Sequence, residues 1–448
     1  MNIQTQGMAA RFFKWLIGPA AVMTAGIMGA GSTVSLLSSG CYFGYALIWA
    51  VAISLPVVVV CQDSASRIGL VSGGKGMMQL IAEQLSPVVK WAIIIPILFT
   101  AISANSGQLG AMASAVSNII NIISGREIIA TSAPVWVKVL MFLSLAILCF
   151  VLNLTGGYKR VERLFSILLL VILISFSIVA IRAFFHWEEV KLMFSGLMPR
   201  IPDEVRYLKD GIEKSRSGLV FASAIIGGAV ASTAILSFPY FTTEGGYKRE
   251  DVKSQFKKHV ITLGVIFGIY SVILLIAGAF TLHKLPASAT FEGASQMSLA
   301  LKDALGPFSS FLFSIGLFIC AYTTLIILAQ LATYFVLDAL GRDWRFSKDN
   351  RLFLIIFSLF IILPAVIGAF WKYPDLLKVV IGMVINTLIT PFTLIILIVM
   401  MNKNSLMGDS KASATRNLFL AYSLIIGIFT SYMAIRGLWS DFAAIFKF

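Results

Sequence analysis

The sequence predicts an all-α integral membrane protein with about eleven transmembrane helices. Hydrophobic residues make up 58% of the 448-residue chain and charged residues only 12%, whereas soluble proteins carry about 25% charged residues. The mean hydropathy of the chain is +0.90. Because so few charges cannot cover a surface in contact with water, most of the outer surface must face lipid.

Apolar runs that are long enough to cross a bilayer recur along the whole chain. A helix needs about 20 mainly apolar residues to span the hydrocarbon core. The runs of this length lie at 16–38, 44–66, 89–122, 135–154, 163–185, 217–241, 258–281, 308–338, 352–371, 377–401 and 416–438. The longest polar connection, 186–216, is too short for a soluble domain, and residues 1–7 read as a loose tail. We therefore expect one transmembrane domain over residues 1–448.

The distribution of lysine and arginine predicts the orientation of these helices. Short loops on the side of the N-terminus hold more basic residues than short loops on the other side, and loops rich in lysine and arginine stay in the cytoplasm. We expect the N-terminus in the cytoplasm, Phe448 outside, and the chain in the plasma membrane. The stretch Lys248–Lys258 reads as one of these cytoplasmic loops, with contact to anionic lipid as an alternative.

Several other classes of protein fit the sequence poorly. The net charge of +14 does not indicate a nucleic-acid partner, because the basic residues lie in short loops between apolar runs. The four cysteines lie in or beside apolar runs without CxxC spacing, which is typical of small buried hydrophobic residues. No intramembrane Ser–His pair or paired carboxylates appear. We expect the protein to lie in a lipid bilayer, to bind no cofactor and to have no enzymatic activity.

Two of the apolar runs are interrupted by small residues at mid-membrane depth. The first contains Gly-Ala-Gly-Ser-Thr within 27–35, and the sixth contains Gly-Ala-Val-Ala-Ser-Thr within 226–234. Small residues also occur where helices merely pack closely. A pair of discontinuous helices would instead expose amides and carbonyls that form a binding site near the midplane. The matching position of the two windows, five helices apart, favours the binding site.

The order of short motifs along the chain is similar to that of the NRAMP (natural resistance-associated macrophage protein) divalent-metal transporters. The similarity covers nearly the whole chain and rests on Gly18-Pro19, Phe43–Trp49, Arg67-Ile68-Gly69, the window at 226–233, Pro391-Phe392 and Asn402–Gly408. The resemblance implies a secondary transporter that works by alternating access. It also implies a LeuT-like fold, with helices 1–5 (16–185) and helices 6–10 (217–401) as inverted repeats and helix 11 at 416–438.

The chain departs from this family at the positions that bind the metal. The family's Asp-Pro-Gly-Asn motif on the first helix reads Gly29-Ala30-Gly31-Ser32 here, and its Met-Pro-His motif on the sixth reads Ser232-Thr233-Ala234. On the third helix, two acidic residues linked to proton movement are replaced within Ala104–Gln108. The family's coordinating backbone carbonyl would map to Ala229, and a ligand of that kind survives.

The resulting set of candidate site residues is electrically neutral. It comprises Gly29, Ala30, Gly31, Ser32, Thr33, Asn105, Ala229, Ser232, Thr233 and Asn386. A divalent ion stripped of water loses more free energy than hydroxyls and carbonyls return. The leading expectation is therefore a small neutral, zwitterionic or carboxylate-bearing organic solute. The alternatives are a hydrated divalent cation of the Mg²⁺ or Mn²⁺ type and a non-transporting binding or sensor homologue. Coupling to sodium, coupling to protons and uncoupled transport all stay open.

Overall fold

A computed structural model describes residues 23–24, 26–126, 134–155, 157–209, 212–285, 291–347 and 349–446. Side chains are described within these ranges except at 157–167, 208–209, 212–214 and 440–446. The expected tail at 1–7 and the Gly18-Pro19 motif lie outside the described residues.

Each of the eleven apolar runs coincides with a helix in the structure. We name these helices spans 1 to 11. Their bounds are 23–43 with a break, Ile48–Val71, Pro87–Ser124, Val135–Leu154, Gly157–Phe184, Gly218–Glu244 with a break, Val252–Thr281, Ser309–Ala339, Arg351–Phe370, Asp375–Asn402 with a bend, and Ala414–Phe446. In the described part of the chain, eight helices are long and apolar enough to cross a membrane, or up to ten if two bent pairs each form one span. The predicted class, all-α and membrane-spanning, is confirmed.

Spans 1 and 6 are both discontinuous, at the windows that the sequence indicated. Span 1 turns at Met28–Gly29 and resumes as the helix Ala30–Phe43. Span 6 consists of the helices Gly218–Ala229 and Ser232–Glu244, and of the two residues between them, Val230 and Ala231, the second is extended. The two predicted breaks are therefore present.

Span 10 has a third discontinuity that the sequence analysis did not predict. Its helices Asp375–Thr387 and Thr390–Asn402 meet at an angle of 43°. Pro391 lies in the first turn of the second helix. Amides in the first turn have no hydrogen-bond acceptor within the helix, so the missing amide hydrogen of proline breaks no bond there. The sequence did not indicate this bend, because the junction at Leu388 and Ile389 lacks the glycine and alanine residues that mark the breaks in spans 1 and 6.

Spans 1 and 7 are in very close contact because glycines meet backbone across their interface. A Cβ atom on Gly40 would lie 2.2 Å from the carbonyl oxygen of Leu275, and one on Gly278 would lie 2.3 Å from that of Leu37. Neither position can hold a larger residue unless the helices separate. This contact fixes the second half of span 1 against span 7.

The segment 186–216, which the sequence indicated as a polar connection, contains regular secondary structure. It contains the helix Trp187–Ser195 and an antiparallel hairpin of β1 (Val205–Lys209) and β2 (Ile212–Arg216), in which Val205 pairs with Arg216. At the end of the hairpin the Arg216 guanidinium lies 2.9 Å from the buried carboxylate of Glu292. Burial raises the pKa of Tyr207, so its protonated hydroxyl donates to the same carboxylate. These bonds tie the hairpin to the connection between spans 7 and 8.

On the opposite side of the bundle, one carboxylate joins three elements. The Oδ2 atom of Asp338, at the end of span 8, accepts hydrogen bonds from the Tyr240 hydroxyl at 2.6 Å and from the Met78 amide at 2.7 Å. Met78 lies in the first turn of the helix Met77–Gln84, where a carboxylate stabilises the free amides. Asp338 thus fixes the connection between spans 2 and 3 to spans 6 and 8.

We expect Gly40→Val to lower the thermal stability of the protein. The added side chain would push span 1 away from span 7, and overpacking of this kind costs on the order of 1–3 kcal/mol. The measurement is the apparent unfolding midpoint of the purified protein in detergent. Gly26→Ala is the matched control, because its Cβ would lie 3.4 Å from Ile327, an ordinary contact at most slightly tight. Equal midpoints for Gly40→Val and the wild type would contradict the packing described here.

Candidate substrate cavity

A cavity of about 50 Å³ lies between spans 1, 3, 6, 8 and 10, beside both breaks. Most of its wall is apolar. The polar atoms in the wall come from Ser32, Thr100, Thr233, Thr324 and Asn386, and the sulfur atoms from Met23 and Met383. No charged side chain lines it in the part of the chain that the structure describes. The cavity reaches from the breaks towards the side of the bundle where span 8 ends.

At the break in span 1, hydroxyl groups bind the backbone carbonyls of Ile27, Met28 and Gly29, of which that of Gly29 also accepts from the Thr33 amide at 3.0 Å. The Ser32 hydroxyl donates to the carbonyl of Ile27 at 2.5 Å, and the Tyr270 hydroxyl of span 7 donates to that of Met28 at 3.1 Å. Thr33 donates to the carbonyl of Gly29 at 2.9 Å and lies 2.5 Å from the Tyr270 oxygen. The break is therefore held by side chains from its own helix and from span 7.

The thioether of Met383 lies between the two broken spans. A Cβ on Gly31 of span 1 would lie 2.3 Å from the Met383 terminal methyl carbon and 3.1 Å from its sulfur, and a Cβ on Gly228 of span 6 would lie 3.7 Å from that sulfur. Both glycines thus leave room for a sulfur atom that span 10 supplies. The motif resemblance implies a ligand of this type on span 6, not on span 10.

Asn386 presents an unpartnered oxygen in the same wall. Its side-chain nitrogen lies 3.5 Å from the carbonyl of Gly227, an acceptor that fixes which end of the amide is the donor. The Oδ1 atom is buried and has no hydrogen-bond partner among the described residues. A buried amide oxygen without a partner is costly, and a bound substrate or water would remove that cost.

The structure brings four of the ten predicted site residues to the cavity wall: Gly31, Ser32, Thr233 and Asn386. Asn105 faces span 9, where its side-chain nitrogen donates to the carbonyl of Phe360 at 2.9 Å. Ser232 lies 3.4 Å from the hydroxyl of Thr390. A Cβ on Gly29 would lie 1.7 Å from the Thr324 hydroxyl oxygen. Thr33 supports the break, and Ala30 and Ala229 are buried beside the two breaks without lining the cavity.

Acidic side chains within the spans have partners elsewhere. Asp63 lies against Arg67 and Arg416, and Glu244 accepts a hydrogen bond from Tyr334 at 2.7 Å. Asp338 accepts hydrogen bonds from Tyr240 and Met78, as described above. Among the described residues, no group of three His, Cys, Asp or Glu side chains is placed to hold a metal ion. A cation in this cavity would therefore be bound by neutral oxygen and sulfur atoms.

Met23, Thr100, Thr324 and Met383 line the cavity although sequence reasoning did not select them. The first three contact it only because spans 1, 3 and 8 pack around the breaks, which a single sequence does not reveal. The position of Met383 in the cavity wall could have been inferred from the sequence. It precedes Asn386 by one helical turn, so the two side chains share a face of span 10.

Comparison with known proteins agrees with the motif resemblance. The family model described as natural resistance-associated macrophage protein-like matches residues 20–439. The divalent metal cation transporter MntH of Mycobacterium leprae is 22% identical over 424 residues, which cover 92% of this chain and 90% of the relative.

Solved structures give the same picture of the fold. A manganese transporter of Eremococcus coleocola, crystallised as a point mutant, superposes with a TM-score of 0.71 at 17% identity and covers 100% of this chain and 91% of its own. MhsT in complex with L-phenylalanine has a TM-score of 0.59 at 14% identity, with 94% of this chain and 98% of the other covered. These neighbours have the LeuT fold, which confirms the predicted fold class.

We expect Tyr270→Phe to loosen the break in span 1. The change removes a hydroxyl that binds the Met28 carbonyl and contacts Thr33, and a buried carbonyl without a partner costs about 1–3 kcal/mol. Amide hydrogen exchange around residues 26–33 should become faster, while exchange in span 9 stays as in the wild type. Tyr432→Phe, at an exposed position on span 11, is the control. Unchanged exchange at the break would show that the Tyr270 hydroxyl does not hold it.

Proposed function

Because the chain belongs to the natural resistance-associated macrophage protein-like family, whose members are transporters and not enzymes, we propose that its cavity carries a divalent cation that keeps part of its water shell. The relatives named as divalent metal cation transporters support a metal ion over the organic solute that the altered motifs suggested. The manganese transporter with the same fold supports it as well.

The main observation in favour of a cation is that Met383 and Asn386, two residues of span 10 in the cavity wall, carry possible ligand atoms. The Asn386 Oδ1 atom is an unpartnered oxygen acceptor, and the Met383 sulfur lies between the two broken spans. Amide oxygens bind hard cations such as Mg²⁺ and Mn²⁺, and thioethers bind softer ones. The Ser32 and Thr233 hydroxyls add oxygen atoms to the same wall. This set would replace the ligands that span 6 lacks.

The absence of a carboxylate from the described cavity wall explains why the ion would keep water. Neutral ligands do not offset two positive charges, so complete dehydration in this low-dielectric cavity would be too costly. A volume of about 50 Å³ accommodates a few water molecules beside the protein ligands. Retained water spreads the charge and weakens binding. Weak binding suits a transporter, which must release its substrate on the other side.

The two broken spans are the elements that we expect to move. Backbone without regular hydrogen bonds bends with little loss, and it borders the cavity in both spans. We propose that the halves 16–185 and 217–401 act as inverted repeats around this site. We also propose the plasma membrane as location, with the N-terminus in the cytoplasm and the C-terminus outside. In this orientation the cavity reaches towards the cytoplasm. Sodium and protons are the candidate coupling ions.

A small organic solute is the second candidate. The uncharged wall of the cavity favours it, since a zwitterion or neutral solute needs no counter-charge from the protein. MhsT, which shares the fold, was crystallised with L-phenylalanine.

We expect Gly31→Trp to abolish transport of either substrate while the protein still inserts and folds. An indole at this position would occupy the space of the Met383 side chain and fill the cavity. The assay is uptake into proteoliposomes of Mn²⁺, Mg²⁺ and amino acids, with and without sodium or proton gradients. Leu418→Trp, at an exposed position on span 11, is the control and should transport normally. Normal uptake by Gly31→Trp would exclude this cavity as the substrate path.

Asn386→Asp separates the two candidate substrates. A carboxylate in this low-dielectric wall attracts a cation and repels a solute that carries a carboxylate. We expect divalent-cation binding to strengthen by roughly tenfold or more, measured by calorimetry on the purified protein. Asn105→Asp is a matched control, because Asn105 also donates to a backbone carbonyl but faces span 9. Cation binding that stays undetectable in both the wild type and Asn386→Asp, with amino-acid binding in the wild type, would favour the organic solute.

A further inference from the structure

A groove of about 410 Å³ opens on the surface of the bundle between spans 2, 7 and 11. Its volume falls in the range of about 300–1,000 Å³ that is usual for ligand sites. One end is formed by Phe256, Ser413, Thr415 and Arg416, and the remainder is apolar. The groove is separate from the substrate cavity and shares none of its residues.

The groove runs along the spans from their basic end towards the middle of the bundle. Arg416 lies in the first turn of span 11, whereas Gly264 lies about 12 Å along span 7 from Phe256. Half of the hydrocarbon core of a bilayer measures about 15 Å. The groove therefore covers most of one leaflet, with its polar end at the headgroup level and its apolar end near the midplane.

Gly264 gives the groove its depth. It belongs to the π-helical segment Val260–Ile266 that interrupts span 7, and its backbone faces Val59 of span 2, to which a Cβ would come within 3.4 Å. Segments of this type often occur at functional sites. The rim includes Phe256 and Phe419, which are 37% and 41% exposed. In a protein that crosses the membrane, such a surface contacts lipid.

The polar end carries excess positive charge. Arg416 Nη1 and Arg67 Nε lie 2.7 and 2.8 Å from the same Oδ2 atom of Asp63, so two guanidinium groups share one carboxylate. His259 Nδ1 lies 3.5 Å from the other oxygen of Asp63. The bonds of Arg416 to Asp63 and Ser64 all leave from Nη1. Within the described residues, Nε and Nη2 of Arg416 have no hydrogen-bond acceptor.

We propose that this groove binds one acyl chain of an anionic phospholipid whose phosphate pairs with Arg416. A guanidinium binds phosphate with two parallel hydrogen bonds, and the phosphate supplies the negative charge that the cluster around Asp63 lacks. The stretch Lys248–Lys258 leads into span 7 at the same end and adds to the attraction for an anionic headgroup. The lipid would join spans 2, 7 and 11 at the edge of the bundle.

The test is native mass spectrometry of the delipidated protein in detergent, titrated with phosphatidylglycerol or with phosphatidylcholine of the same acyl chains. We expect one phosphatidylglycerol to bind the wild type about tenfold more tightly than phosphatidylcholine, as for a hydrogen bond to a charged group. Gly264→Phe, which fills the groove, should lose binding of both lipids. Gly264→Ala is its matched control and should bind like the wild type, because its Cβ would make an ordinary contact with Val59.

Substitutions of the arginines test the headgroup contact. Arg416→Gln should bind both lipids equally. Arg416→Lys should keep only part of the preference, because an ammonium group cannot form the two parallel bonds. Arg67→Gln should also keep part of it, because the change lowers the charge around Asp63 but leaves the Arg416 guanidinium in the groove. Inorganic phosphate should not displace the bound lipid. Equal affinity of the wild type for the two lipids would overturn the proposal. Unchanged lipid binding by Gly264→Phe would also overturn it. Because Gly264→Phe leaves the ion pairs around Asp63 intact, it tests the proposal even when Arg416→Gln does not fold.

Discussion

A break in a transmembrane helix leaves carbonyl groups that no water in the lipid core can bind, and the bundle must supply other donors for them. In span 1 these donors are the hydroxyls of Ser32 and Tyr270, while Thr33 adds a second bond to the Gly29 carbonyl. Because Tyr270 belongs to span 7, the break and the glycine contact between Gly40 and Leu275 form one continuous interface. The position of the broken segment relative to spans 6 and 10, and hence the shape of the cavity, depends on this set of bonds.

In the proposed function, the cavity would keep its place beside the two breaks while its ligand atoms come from span 10. The positions on spans 1 and 6 to which the motif resemblance assigns the metal ligands hold residues without charge or sulfur, such as Gly29 and Ser232. Gly31 and Gly228 are small, and the Met383 side chain of span 10 occupies the space between them. A cation in the proposed site would thus meet a sulfur atom from span 10.

The apolar helices and the two breaks could be predicted from the sequence because each depends on local composition. A run of about 20 apolar residues is stable in lipid as a helix that crosses the membrane. A glycine-containing window such as Gly29–Thr33 lowers the cost of an unwound turn. The members of the site depend instead on how helices rotate about their axes. Asn105 is polar and lies at mid-span like Asn386, yet it faces span 9 and donates to Phe360. The bend at Leu388–Ile389 was not predicted, because the junction lacks the small residues that mark the breaks in spans 1 and 6.

The uncharged wall of the cavity has an energetic consequence for any ion that passes through it. No side chain in the described wall carries charge across the membrane with the substrate or compensates for it. A divalent cation would therefore move both of its charges through the electric field, a difference of about 4.6 kcal/mol per 100 mV of membrane potential. A negative interior would pull such an ion inward without any coupled gradient. The resting voltage of the cell would then be the main source of driving force for uptake.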